Sequence, residues 1–109
     1  MSTERQALLE TLERYYRSCG WTVERPEDET IRASGPAGVT WIGMAVVRDD
    51  LDSDHFEERL RWLSDQRMPG TGERCPFELL PAEECADELR AVLGRLRLAD
   101  RVSVYSLAA

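Results

Sequence analysis

Asp49, Asp50, Asp52 and Asp54 fall within six positions, and His55, the one histidine of the chain, follows directly in the stretch RDDLDSDHFEERL. Carboxylates at alternate positions suit a hard cation, because calcium and magnesium are held by oxygen ligands. Counted from Asp50, Asp52 and Asp54 stand at the third and fifth positions of an EF-hand loop. His55 then occupies the place of the turn glycine and Arg61 that of the bidentate glutamate, so the pattern fails in its second half. A looser calcium or magnesium site using Asp49, Asp50, Asp52, Asp54 and Glu58 stands as the alternative. The simpler expectation is the start of a helix. Aspartates before and within a first turn cap free amides and favour the positive end of the dipole, by about 0.3–1 kcal/mol per charge.

His55 has workable spacing to Asp52 and Glu58 for a general base or a ligand. Without a second histidine or an HExxH pattern, it reads instead as a surface residue at a helix start. No GxSxG, GxGxxG or GxxxxGK[ST] occurs, so nucleophile-elbow, dinucleotide and P-loop readings lack local support. All 14 basic residues are arginine, which excludes Schiff-base lysine chemistry and a P-loop lysine. No catalytic residue is assigned, and no cofactor is expected beyond the alternative calcium or magnesium.

Trp21 and Trp41 lie in apolar stretches that read as strands, whereas Trp62 sits beside the apolar stripe of a helix and is the tryptophan expected to be partly exposed. Together with His55, Arg59 and the adjoining Arg61, Trp62 would form a protein-binding face, since tryptophan and arginine are enriched at interfaces. Arg90, Arg95, Arg97 and Arg101 cluster around the end of another helix. Cations there complement the helix dipole without any partner, and nucleic-acid binding is not expected.

The elements that position these residues follow from periodicity. Leu8, Leu12, Tyr15, Tyr16 and Cys19 repeat at helical spacing from Thr3 to Cys19, with a capping box offered by Thr3 and Gln6 and a left-handed end at Gly20. Trp21 and Val23 alternate with polar residues up to Pro26, Thr30 to Ser34 makes a second strand, and Gly35 to Gly38 reverses the chain. VTWIGMAVV, Val39 to Val47, is apolar almost throughout and predicts the central strand. Phe56, Leu60 and Leu63 mark a second helix, ended by Pro69, Gly70 and Gly72. CPFELL, Cys75 to Leu80, predicts a short strand that Pro76 confines to a sheet edge or a strand start. Pro81 suits the first turn of a third helix carrying Cys85, Leu89, Val92, Leu93 and Leu96, and VSVYSL, Val102 to Leu107, predicts a final strand.

The expected fold is therefore α+β or mixed α/β, as a helix, a three-strand antiparallel meander, a helix, a short edge strand, a helix and a strand, with the helices packed on a single sheet. At 109 residues and 42% hydrophobic content the chain predicts one globular domain, residues 1–109, with no membrane span and no signal peptide, in a cytoplasmic setting. Cys19, Cys75 and Cys85 form no CxxC pair and read as free, mostly buried thiols, Cys85 being reactive only if set near the first turn of its helix. Absence of both lysine and asparagine points to a GC-rich genome, and the net charge of −7 is compatible with a salt-adapted, halophilic source.

The order of elements is similar to that of the restriction-endonuclease-like fold. That resemblance implies an aspartate on the second strand and an acid-x-lysine on the third, holding magnesium. Here those strands read TIRAS and VTWIGMAVV, without acid or lysine, so the resemblance is one of element order and implies at most a catalytically degenerate nuclease-like fold. The leading expectation is a small acidic interaction or accessory domain without catalysis, bound to an unidentified protein partner or paired as a homodimer. The alternative is a divalent-metal or small-ligand-binding protein using Asp49 to Glu58.

Overall fold

The computed structural model describes residues 3–105. Ser106 and Leu107 of the expected last strand, and the Thr3 side chain with its expected capping box, lie outside the described residues. The elements in order are α1 (Thr3–Ser18), β1 (Thr22–Glu24), β2 (Thr30–Ser34), β3 (Thr40–Val46), a one-turn α2 (Arg48–Leu51), α3 (Phe56–Ser64), β4 (Phe77–Pro81), α4 (Ala86–Arg95) and β5 (Val102–Val104). The strands form one five-stranded mixed sheet in the order β1-β2-β3-β4-β5. The first three make an antiparallel meander, and β3-β4 and β4-β5 are parallel. No helix among the described residues is long and apolar enough to cross a membrane.

Two cores lie on the two faces of this sheet. On one face α1 lays Leu8, Leu9, Leu12 and Tyr16 over Ile31, Ala33, Ala45 and Leu80, the i, i+1, i+4, i+8 spacing of one helix side. On the other, Phe56, Leu60 and Leu63 of α3 and Leu89 and Leu93 of α4 cover Ile42, Met44, Val46, Phe77, Leu79 and Val102. Covered on both faces, β3 is buried from Ile42 to Val46, which accounts for its near-continuous apolar run. Gly20 ends α1 with φ +84°, and the Trp21 amide returns to the Tyr16 carbonyl at 3.2 Å, as a left-handed helix stop does.

Three details differ from expectation. β4 is not an edge strand: it lies between β3 and β5 and is buried along its length. Pro76 precedes the strand and uses its carbonyl, which accepts the Ile42 amide at 2.9 Å, so the missing N–H costs the ladder nothing. Pro81 closes β4 and does not open a helix; a turn of 3-10 helix, Glu83–Cys85, separates it from α4. The aspartate segment does not lead straight into α3, because Asp49 and Asp50 belong to the separate turn α2.

Candidate functional site

Asp50 is the aspartate that the fold holds most firmly. Its carboxylate accepts the Val47 amide at 2.9 Å, capping α2, and takes both Nη atoms of Arg5 at 2.9 and 3.0 Å. The bidentate bond holds the Arg5 guanidinium above the usual arginine range and ties α1 to the end of β3. Replacing Asp50 by alanine is expected to lower stability by about 1–3 kcal/mol, because the half-buried Arg5 loses its bidentate bond to Asp50 and the Val47 amide its acceptor. Denaturant midpoints of the parent and Asp50→Ala measure this.

The other members of the segment do not gather around Asp50. Asp49, Asp52, Asp54 and Glu58 are exposed, and among the described residues no group of three or more His, Cys, Asp or Glu side chains is placed to hold a metal ion. A small cleft of about 200 Å³ brings Asp50 and His55 together with Glu29 and Arg59. Its charges are matched already, since Asp50 pairs with Arg5 and the Arg59 Nε lies 3.1 Å from Glu29. Ser53 meets His55 through the backbone: its Oγ accepts the His55 amide at 3.3 Å.

His55, Arg59 and Trp62 come together along the outer side of α3, lining a groove of about 620 Å³ with Glu58, Arg61 and Asp65. Trp62 is 53% exposed. The Arg59 guanidinium carbon stands 5.6 Å from the centre of the Trp62 ring, a cation–π distance, and the same guanidinium pairs with Glu27 and Glu29. The loop before β2 therefore fixes Arg59, and Arg59 in turn orients Trp62. Helical spacing explains the face: Phe56, Leu60 and Leu63 turn into the core, which leaves the residues between them outward.

A polar site absent from the sequence reading lies on the α1 face of the sheet. Glu78, on the buried strand β4, is 3% exposed. One carboxyl oxygen accepts the Tyr16 hydroxyl at 2.6 Å, and the other accepts the Tyr105 hydroxyl. Tyr16 reaches Glu78 by crossing β3 over Gly43, where a Cβ would lie 2.8 Å from the hydroxyl. Burial and the shared carboxyl push both tyrosines far above their ordinary value of 10.0. Around them Tyr15, Trp21 and Trp41 form a chain of ring contacts at 5.1–6.5 Å. Trp21 and Trp41 are thus half-buried packing residues beside this network.

The remaining candidates have structural surroundings. Cys85 is buried at the start of α4, and desolvation raises its thiol, as it does that of Cys75; Cys19 is exposed. Arg95 pairs with Glu57 at 2.8 Å, linking α4 to α3, and Arg90 pairs within its own helix with Asp87 at 3.8 Å. Exposed pairs of this kind contribute about 0–1 kcal/mol.

These features define an α+β domain with a mixed five-stranded sheet, one helix on one face and two on the other. Comparisons with protein-family models, with curated proteins and with solved structures find no match to this chain. β2 and β3 carry no carboxylate, and the acid buried in the sheet is Glu78 on β4.

Proposed function

We propose that the protein is a small non-catalytic interaction domain whose binding face is the outer side of α3 and whose partner there is a second copy of the chain. The observation carrying this reading is Trp62, an exposed indole held by Arg59 inside a groove. An ordered tryptophan beside arginines is the type of group that dominates interfaces. Charge argues for a second copy. Each chain carries −7, so two copies repel over most of their surfaces. Around the α3 groove, by contrast, Arg59, Arg61, Arg67 and Arg74 stand against Glu27, Glu29, Glu58 and Asp65, a balanced face that can meet itself across a twofold axis.

A nine-residue helix supplies a contact at the small end of stable interfaces, roughly 1,200 Å² or less. The pair is therefore expected in concentration-dependent equilibrium with the monomer. Sedimentation velocity over a concentration series is expected to show this equilibrium for the parent and a shift towards monomer of at least about tenfold in dimer dissociation constant for Trp62→Ala. A parent protein that stays monomeric, or a Trp62→Ala variant that associates like the parent, would contradict the reading.

A further inference from the structure

Another concave site lies on the half of the sheet that α3 and α4 leave uncovered. On that face the apolar core draws on β3, β4 and β5 and takes nothing from β1 or β2. What remains there is polar: a pocket of about 370 Å³ lined by Glu24, Arg32, Ser34, Thr40, Arg67 and Cys75, among others. Its size is at the lower end for small-ligand sites. Three strands, β1, β2 and β3, and the connection between α3 and β4 form its walls.

Arg32 is the one arginine on a strand among the described residues. Glu24 is its register partner on β1, yet the Arg32 guanidinium makes neither an ion pair nor a hydrogen bond among the described residues. Most other arginines of this acidic protein are paired, including Arg5, Arg17, Arg25, Arg48, Arg59 and Arg95. Arg67 enters from the opposite wall. It is held by a hydrogen-bonded loop: the Cys75 amide donates to Gln66 O at 2.8 Å, the Met68 amide to Glu73 O at 2.7 Å, and Arg67 Nη1 to Gly72 O at 3.1 Å. Its Nη2 also stands 3.9 Å from Asp65, and because a guanidinium has five N–H donors, Arg67 keeps spare donors beyond these two contacts.

We infer that the Arg32–Arg67 pocket binds one carboxylate group. Arg67 shares Asp65 with Arg74, so three guanidinium groups, those of Arg32, Arg67 and Arg74, stand against the Glu24 and Asp65 carboxylates and leave one net positive charge, which matches a monoanion. The planar fork of Arg32 supplies bidentate geometry for it, and Ser34 and Thr40 add hydroxyls at the wall. The carboxylate can belong to a free organic acid or to an acidic side chain of a protein segment, and the chemistry of recognition is the same. The site is distinct from the Trp62 face, with which it shares Gln66 alone.

The test is an amide NMR titration of the isotope-labelled full chain with butyrate, butyramide, inorganic phosphate and a blocked glutamate residue at fixed ionic strength. Butyrate and blocked glutamate are expected to give saturable shifts centred on Arg32, Ser34, Thr40 and Arg67, and butyramide none. Tighter binding of the blocked glutamate assigns the pocket to an acidic side chain, and binding of butyrate as tight or tighter assigns it to a free acid. Arg32→Ala is expected to weaken binding at least about tenfold, with Arg32→Lys intermediate and Trp62→Ala unchanged. Arg67→Ala provides a second variant on a different wall. Equal responses to butyrate and butyramide, tighter binding of phosphate than of either carboxylate, or an unaltered titration in both arginine-to-alanine variants would overturn the assignment. Because Trp62→Ala is the control, failure of the α3 interface and failure of this pocket are read separately.

Discussion

Gly43→Ala is expected to destabilise the protein by about 2–4 kcal/mol, although alanine in place of glycine ordinarily stabilises by about 0.4–1 kcal/mol through the unfolded chain. The added Cβ would stand 2.8 Å from the Tyr16 hydroxyl and 3.1 Å from Cε2 of its ring. Tyr16 is 2% exposed and is not a free end that can swing away: its hydroxyl is held by Glu78 at 2.6 Å and its ring packs on Trp21. Accommodating the methyl group therefore means displacing α1 or breaking the bond to Glu78. Breaking it leaves a buried carboxyl short of a donor, itself a loss of about 1–3 kcal/mol. Tyr16→Phe alone is expected to cost that lesser amount. In the double variant the two losses should fall short of additive by about 0.5–3 kcal/mol, because the closest clash is with the hydroxyl that phenylalanine lacks. Denaturant midpoints at unchanged m-value give all three numbers. A Gly43→Ala protein as stable as its parent would show that Tyr16 does not cross β3 as described.

The same network predicts how stability depends on pH. Tyr16 and Tyr105 are raised far above the 10.0 of an ordinary tyrosine, first by burial and then by the bond to Glu78. A group raised in the folded state contributes stability that is intact below its unfolded value and lost as pH climbs from there towards its folded value. The unfolded chain releases its tyrosine protons near pH 10 while folded Tyr16 keeps its own. Unfolding free energy is thus expected to fall above about pH 10 with a slope of about 1.4 kcal/mol per pH unit from Tyr16. Tyr105, half-buried, adds a smaller amount. Denaturation curves across the alkaline range measure the slope, and Tyr16→Phe should remove the larger share. Near-ultraviolet tyrosinate absorbance from these two residues should appear together with unfolding and not before it. A stability that stays level through this range, or a slope unchanged in Tyr16→Phe, would contradict the network.

Much of this architecture is legible from local pattern. The helical repeat of Leu8, Leu12 and Tyr16, the apolar run of β3 and the meander before it each depend on neighbours a few positions away, and the structure has them as expected. Trp62 stands out for the same reason, since it falls between the core positions Leu60 and Leu63 of a short helix. What local pattern hides is pairing over distance. The placement of β4 inside the sheet turns on two parallel crossovers, and Pro76 suggests an edge only as long as the strand is taken to include it. Glu78 looks in sequence like a solvent-facing acid alternating with Phe77 and Leu79. Its partners lie 62 residues before it and 27 after it. The available signal was a single charge inside CPFELL together with a glycine in the middle of a buried strand.

The aspartate segment shows the converse. Its composition suggests convergence, yet one member, Asp50, is committed to Arg5 and to the end of β3, while its neighbours are solvated. Spacing along the chain does not by itself set the directions of side chains when a one-turn helix and a bend lie between them. On the α3 face, by contrast, spacing and direction coincide because one regular helix carries Glu58, Arg59, Arg61 and Trp62.

That face is tested most directly by reversing its charges one sign at a time and then mixing the products. Glu58→Arg gives a face with excess positive charge and Arg61→Glu one with excess negative charge; both positions are exposed. In sedimentation equilibrium, each variant alone is expected to self-associate more weakly than the parent, and an equimolar mixture to form a heterodimer more tightly than either variant pairs with itself. Parent and variants that are monomeric at every concentration, or a mixture no more associated than its components, would contradict pairing through α3.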